Sequence, residues 1–186
     1  QGRIVVARGD GRSFVVGDIV GGPSGTPQYN FRDAVLRFTE NEIIALGGSF
    51  SVPINAGPIT AIRPVAQLDT STGQGPTQIF TQNAIFSLNT PTDRTTWKSV
   101  TYPIQTFSAV QSGATSDRST IPVNGDLWMR GLDGVRSFVV ARRDFGSWVN
   151  TPQSSEVNRA LDKDDLNLLE YSSSALFDNR FMMTTR

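Results

Sequence analysis

The sequence predicts an all-β protein with short helices, forming part of a β-propeller with hairpin-based blades of about 40–50 residues. First, Asp-Gly separates two strand-like runs in 125–145, GDLWMRGLDGVRSFVVARRDF, and again in 2–18, GRIVVARGDGRSFVVGD. Second, further hairpin turns are predicted near 82 and 179. Third, Asn83 and Gly125 are one such period apart, and Asp10 and Asp133 about three periods. A β-sandwich with several unrelated hairpins is the alternative.

The strands follow from apolar runs bounded by turn residues. They are predicted at 4–7, 13–16, 33–38, 58–66, 77–80, 84–88, 97–100, 104–110, 126–130, 135–141, 175–177 and 181–184. Within the fourth of these runs, Pro64 predicts an edge or a bulge, because proline donates no hydrogen bond to a neighbouring strand. The turn-rich stretches at 21–26, 69–76 and 111–120 are predicted loops.

Two helical regions interrupt the strand pattern. Thr39 and Glu42 form a capping box, which predicts a helix over 40–46 that ends at Gly47-Gly48. A helical insertion at about 154–171 is predicted as one broken helix or two short ones. Its buried side is assigned to Leu166, Leu168 and Leu169.

The whole of 1–186 is interpreted as a single propeller-like domain or a fragment of one. The 38 % hydrophobic residues together with 17 Gly allow a sizeable core. Both ends of the sequence lie within strand patterns, which suggests a piece of a longer protein.

Charge and composition exclude several classes of function. The 17 basic and 17 acidic residues cancel, which disfavours a general nucleic-acid or membrane-surface binder. Absent histidine removes Ser-His-Asp catalysis and histidine-ligated metals, and absent cysteine removes disulfides and thiolate chemistry. No apolar run approaches the roughly 20 residues of a membrane-spanning helix.

Four short motifs have a structural interpretation that outweighs the functional one. Arg8-Gly9-Asp10, a tripeptide of integrin ligands, falls where a hairpin turn needs Gly and Asp. Residues 162–165, Asp-Lys-Asp-Asp, lack the alternating ligands and central glycine of a calcium loop and suit the first turn of a helix. Residues 73–76, Gly-Gln-Gly-Pro, lack the Lys-Ser/Thr of a phosphate-binding loop. Residues 92–97, similar to a sialidase Asp-box, lack its glycine.

Large aromatic and charged residues also have structural interpretations. Trp128 and Trp148 are expected in the core or between blades rather than at a ligand. Arg142-Arg143 beside Asp144 is expected to be a solvated or ion-paired patch. The residues therefore give no catalytic, cofactor-binding or metal-binding site.

Several segments resemble a group of tailed-bacteriophage virion proteins. The sharpest are 124–128, Asn-Gly-Asp-Leu-Trp, then 133–137, Asp-Gly-Val-Arg-Ser, and 177–180, Phe-Asp-Asn-Arg. The plan also resembles the propeller-forming tail nozzle, or tail tubular, proteins of short-tailed phages.

The resemblance implies a non-enzymatic structural component of the virion tail or collar, assembled in the host cytoplasm. Its implied partners are other virion proteins and copies of itself, with possible passing contact with phage DNA and no membrane span. It brings no catalytic residue, cofactor or metal.

A carbohydrate-binding or glycan-cleaving receptor-binding propeller is the main alternative. It requires paired carboxylates about 5–10 Å apart beside aromatic platforms, with Asp133, Asp144 and Glu156 as the acids to examine. An extracellular interaction module is the third possibility.

Overall fold

A computed structural model describes residues 4–17, 49–65, 77–88, 104–106, 112–138 and 152–184. This part of the chain is mostly β-sheet with a few short helices, so the predicted all-β class is confirmed. Its strands are β1 (Val5–Ala7), β2 (Ser13–Val16), β3 (Ser49–Ser51), β4 (Ile59–Pro64), β5 (Thr77–Thr81), β6 (Ile85–Leu88), β7 (Ile104–Thr106), β8 (Thr120–Val123), β9 (Asp126–Gly131), β10 (Gly134–Ser137), β11 (Ser174–Phe177) and β12 (Arg180–Met183). The helices are 3-10 turns at Ile54–Ala56, Ser155–Val157 and Leu166–Tyr171 and one α-helical turn at Asn158–Leu161.

The strands form four antiparallel sheets in chain order. The first sheet is β1-β2-β3, the second β4-β5-β6-β7, the third β10-β9-β8 and the fourth β11-β12. Every pair of hydrogen-bonded neighbours is also consecutive in sequence. Tight turns join five of the eight described pairs, because antiparallel strands need no crossover connection. Longer segments separate β2 from β3, β4 from β5 and β6 from β7.

Turn residues explain where the hairpins fold back. Asn124 and Gly125 have φ of 49° and 82°, and Asp178 and Asn179 have φ of 48° and 56°. Two consecutive residues with positive φ twist in the same sense as the flanking strands, which is why Asn, Asp and Gly favour hairpin turns. All four predicted turns, near 9, 82, 132 and 179, are hairpin turns in the structure.

The second sheet lies between the first and third and is buried on both faces. Ile79 and Phe86 are cross-strand partners that join a core cluster with Phe14 of the first sheet. Phe80 and Ile85, the next pair along, join a separate cluster with Met129 of the third sheet. Because cross-strand partners share a face and successive residues alternate, these two clusters lie on opposite faces.

Hydrogen bonds attach each of the first three sheets to the segment that leads onward from it. We call each of these attachments a joint. At the first joint, Val52 N donates to Arg12 O at 3.0 Å and Ile59 N donates to Gly11 O at 2.7 Å. The bonds join main-chain groups, and the side chains of Val52 and Ile59 pack in the apolar cluster that the two sheets share.

The second joint is equally direct. Gly113 N donates to Gln82 O at 3.3 Å, and Ala114 N donates to Thr81 O at 3.1 Å. A Cβ atom on Gly113 would lie 1.6 Å from the Thr81 carbonyl oxygen. Only glycine allows this approach of two backbones.

The third joint leads to the helical region. Gln153 N donates to Val135 O at 2.8 Å, and Val135 N donates to Ser154 Oγ at 2.9 Å. The fourth sheet, which follows this region, then lies beside the third, since Ser174 N donates to Arg118 O at 2.9 Å. The described sheets therefore form an open series, and no closed sheet occurs among them.

Most strand predictions that fall on described residues are confirmed. Pro64 ends β4, which is an edge strand, although its register shift lies between Ile59 and Ala61. Two strands were missed: β3 reads Ser-Phe-Ser, and β8 contains Pro122, which its edge position tolerates.

The helical insertion is confirmed as a set of short turns, but its predicted buried side is wrong in part. Leu169 is buried, whereas Leu166 and Leu168 are exposed. Residues of a 3-10 helix repeat every three positions, so Leu168 lies on a different face from Leu169. Leu166 shares the face of Leu169 but is the first residue of the helix and is exposed. The predicted strands at 33–38 and 97–100, the helix at 40–46 and the loops at 21–26 and 69–76 lie outside the described residues.

Candidate functional site

A polar cluster occupies the turn between β9 and β10. Asp133 accepts hydrogen bonds from Nε of Arg136 at 3.2 Å and from Ser112 Oγ at 3.1 Å. Nη2 of Arg136 also pairs with the second carboxylate oxygen of Asp133. Because Ser112 belongs to the segment leading into the third sheet, the cluster fixes that segment to the later hairpin.

The electrostatics of this cluster favour an ionised carboxylate. Desolvation by partial burial raises the pKa of Asp133, but the hydrogen bond and positive charge of Arg136 and the hydrogen bond from Ser112 outweigh it, so the pKa is lowered. An acid catalyst would need the opposite shift. The Asp133 carboxylate is suited to holding a turn, and the arrangement offers no proton donor for glycan cleavage.

A second polar group is buried between the third sheet and the helical region. Arg130 is only 2 % exposed, and its Nη2 lies 3.0 Å from Oδ2 of Asp164. Within the described part of the chain, Nε and Nη1 of Arg130 have no hydrogen-bond partner. A buried ion pair with unsatisfied donors contributes little net stability, but loss of either partner would leave an uncompensated buried charge.

Aromatic contact completes the surface between the third and fourth sheets. The rings of Trp128 and Phe181 lie 5.2 Å apart between centroids and are tilted by 46°. Trp128 thus packs between sheets, as predicted, and Trp148 lies outside the described residues. Asn124 Nδ2 also donates to Asn179 Oδ1 at 3.3 Å, which brings the tips of two hairpins together.

The Arg-Gly-Asp tripeptide lies in the turn between β1 and β2. The carboxylate of Asp10 accepts hydrogen bonds from the backbone N of Arg12 and Ser13, both at 2.9 Å, and from Ser13 Oγ. The Ser13 hydroxyl, the backbone N–H groups and the nearby charge of Arg8 lower the pKa of Asp10 to about 2. Both carboxylate oxygens are therefore occupied within the turn, which favours the structural interpretation over an adhesion site.

Two of the other acidic residues considered as functional, Asp165 and Glu156, lie at the starts of short helices. Asp165 accepts a hydrogen bond from Asn167 N at 2.9 Å and begins the 3-10 helix, as expected for an acidic residue at a helix start. Glu156 is exposed in the first helical turn. The motifs at 73–76 and 92–97 and the patch at 142–144 lie outside the described residues.

The described residues offer no cluster of three or more potential metal ligands. None of the helices in the described ranges is long and apolar enough to cross a membrane. What these residues do offer is contact surface, because large exposed apolar side chains are concentrated between 157 and 182.

The sequence does not predict the contacts in these clusters that join residues from different segments of the chain. Asp164 was assigned to the start of a helix, yet it is the partner of Arg130. Ser112 and Gly113 were placed in a polar loop, yet they form part of a joint. The available signal was Gly113 itself, since a glycine can indicate close backbone approach.

Comparisons with protein-family models, curated proteins and solved structures find no match to this chain.

Proposed function

We propose that this chain is a non-enzymatic structural component of a tailed-bacteriophage virion, in the tail nozzle or collar, and that it acts through protein–protein interfaces. The observation that carries the proposal is the series of small antiparallel sheets connected by main-chain joints. A series of this kind is a rigid scaffold. It suits a virion protein that holds its neighbours in position rather than one that catalyses a reaction.

The β-propeller belongs to this proposal. Stacking of consecutive sheets face to face, with the middle sheet buried on both sides, is how propeller blades bury their surfaces. Further blades would continue the series around an axis.

Two further features support a role in contacts. The carboxylates of Asp133 and Asp10 are hydrogen-bonded within the fold and Arg130 forms an ion pair there, as expected for scaffold residues. The balanced total charge of 17 basic and 17 acidic residues also avoids mutual repulsion in a crowded assembly.

The proposal is tested on purified phage particles whose genome encodes this chain. We expect mass spectrometry to find the chain in the particles, and electron cryomicroscopy with an antibody label to place it at the tail. Absence of the chain from purified particles would overturn the proposal. Retention on an immobilised bacterial glycan, with release by free sugar, would instead favour the carbohydrate-binding alternative.

A further inference from the structure

The two faces of the third sheet make different kinds of contact. Met129 of β9 belongs to the apolar cluster that this sheet shares with the second sheet. Trp128 and Arg130 lie on the opposite face, since side chains alternate along a strand. Residues 155–184, which we call the lid, contact that face through an ion pair to Arg130 and an aromatic contact to Trp128. An apolar cluster therefore joins the third sheet to the second, and a largely polar contact joins it to the lid.

The polar contact leaves several buried groups without full replacement of their hydration. Nη2 of Arg130 lies 3.0 Å from Oδ2 of Asp164, and the two side chains are 2 % and 6 % exposed. Within the described part of the chain, Nε and Nη1 of Arg130 and the buried Oγ of Ser172 have no hydrogen-bond partner. Burial of polar groups without partners costs free energy, so closure of the lid is opposed by dehydration.

The fourth sheet, which forms the end of the lid, depends on contact with the third sheet for its own order. Every residue of its two strands is exposed or half-buried. Ser174 attaches it to the third sheet, because its N donates to Arg118 O at 2.9 Å and its Oγ donates to Ser119 O at 3.3 Å. A two-stranded hairpin alone is marginally stable in water. Separation from the third sheet should therefore expose all of the amides of the hairpin together.

We propose that the lid opens from the third sheet as one unit while the first three sheets stay folded. Opening returns Arg130, Asp164 and Ser172 to water and recovers the hydration that closure removes. Separation of the first three sheets would instead expose two apolar clusters. The free energy of opening therefore lies below that of global unfolding. The third joint, where Gln153 N donates to Val135 O, precedes the lid and keeps it attached.

The test measures how fast a single buried cysteine reacts with a thiol reagent, since the chain has no cysteine of its own. Ser172→Cys places the thiol in the lid, at a position that is 1 % exposed. Val16→Cys, the matched control, places it in the apolar cluster between the first and second sheets. Relative to the unfolded chain, Ser172→Cys should react at least about tenfold faster than Val16→Cys. Its rate should also rise less steeply with urea, because opening exposes less surface than global unfolding.

Replacement of the ion pair tests the cause of opening. Arg130→Met with Asp164→Leu puts apolar groups in the same contact, and these recover no hydration when the lid opens. The double replacement should slow the reaction of Ser172→Cys by about tenfold, as expected where apolar groups replace a buried ion pair. Arg63→Met with Asp117→Leu removes an ion pair outside the lid and should leave the reaction nearly unchanged.

Three results would overturn the proposal. If Ser172→Cys reacts no faster than Val16→Cys, the lid separates only when the whole chain unfolds. If it reacts fast but without dependence on urea, only the surroundings of residue 172 fluctuate. If the double replacement at Arg130 and Asp164 speeds the reaction, the ion pair holds the lid closed.

Hydrogen exchange of the unmodified chain under native conditions gives a second measurement if Ser172→Cys fails to fold. The amides of β11 and β12 should exchange with one common free energy, lower than that of the amides of β5 and β6. Equal free energies for all four strands would show that the lid does not open separately.

Discussion

The two Asp-Gly hairpins have nearly the same sequence and yet stabilise the structure differently. Between β1 and β2 the turn spans 9–12, closed by the bond from Arg8 N to Ser13 O, and Asp10 bonds only within its own turn. Between β9 and β10 only Leu132 and Asp133 lie between the paired strands, and Asp133 reaches Ser112 in another segment. Both turns are attached to another segment, the first through main-chain groups only. The difference teaches that the aspartate of the motif serves local turn chemistry in the first hairpin and attachment to a distant segment in the second.

The largest expected difference between the hairpins concerns their arginines. Arg12 and Arg136 occupy equivalent sequence positions before Ser-Phe, but Arg12 is exposed and Arg136 is buried. Arg136→Ala leaves Asp133 without its cation and should lower the free energy of unfolding by about 2–4 kcal/mol. Arg12→Ala, the matched control, should change it by less than about 0.5 kcal/mol. Urea unfolding of both variants measures the difference, and equal effects would refute the comparison.

The second largest expected difference is in how much stability is lost when the glycine of each turn is replaced. Gly134 has φ of 139°, and a Cβ there would lie 2.5 Å from Ser154 Oγ and 2.9 Å from Pro152 Cβ. Gly134→Ala should therefore cost about 2–3 kcal/mol from strain and crowding together. Gly11, with φ of 68°, would place a Cβ only 3.7 Å from Pro58 Cβ, so Gly11→Ala should cost about 1 kcal/mol. Thermal unfolding should rank the two in that order, and the reverse ranking would contradict the attachment at the third joint.

Replacing the serine that follows the arginine in each hairpin should give a smaller difference in stability. Ser137 is buried and its Oγ donates to Asp126, eleven residues earlier, whereas Ser13 Oγ donates to Asp10 within the exposed turn. Ser137→Ala should lower the free energy of unfolding by about 1 kcal/mol, because the half-buried Asp126 carboxylate loses a donor. Ser13→Ala should have the lesser effect, since water can replace its hydroxyl. Denaturation in guanidinium chloride resolves the two, and a larger loss in Ser13→Ala would be contrary to the comparison.

The smallest expected effect is a decrease in the free energy of unfolding at low pH. The pKa of Asp10 is lowered from 3.8 to about 2, and that of Asp133 is also lowered. A carboxylate with a lowered pKa in the folded state stabilises the fold above its unfolded pKa, and this stabilisation is lost as pH falls through the folded pKa. The loss for Asp10 should therefore occur between pH 3.8 and about 2.

Unfolding measured across that pH range tests the acid dependence. Asp10→Asn and Asp133→Asn should each make the free energy of unfolding decline less steeply with acid than in wild type. Carboxyl carbon shifts in NMR report the two pKa values directly. An Asp10 that titrates at an ordinary value would show that its turn hydrogen bonds are absent in solution.

The elements that sequence predicted best are those whose cause is local. Asp178-Asn179 turns the chain because the backbone preferences of these two residues favour positive φ. The short apolar runs in β5 and β6 likewise indicate strands directly. By contrast, β3 has serine on both sides of Phe50, and its only cause is pairing with β2.

The polar clusters were harder to predict because they join residues that are distant in sequence. Arg130 and Asp164 are 34 positions apart, and Asp133 and Ser112 are 21 apart. Single-sequence reasoning has no measure of such proximity, so it located the Asp133-Gly134 turn without finding which segment Asp133 contacts. The exposure of Leu166 and Leu168 is not predicted for a related reason, since the burial of each side chain depends on which distant segments pack against it.

The close approach of Gly113 to the Thr81 carbonyl has a consequence for how such a chain can change. A joint formed by main-chain groups and one glycine makes few demands on the rest of the sequence, because every residue except proline supplies the same donor and acceptor. A whole sheet with its turn is therefore a unit that duplication can insert or deletion can remove without redesign of its neighbours. In evolutionary terms the series is modular, and its length is free to vary while its geometry stays the same.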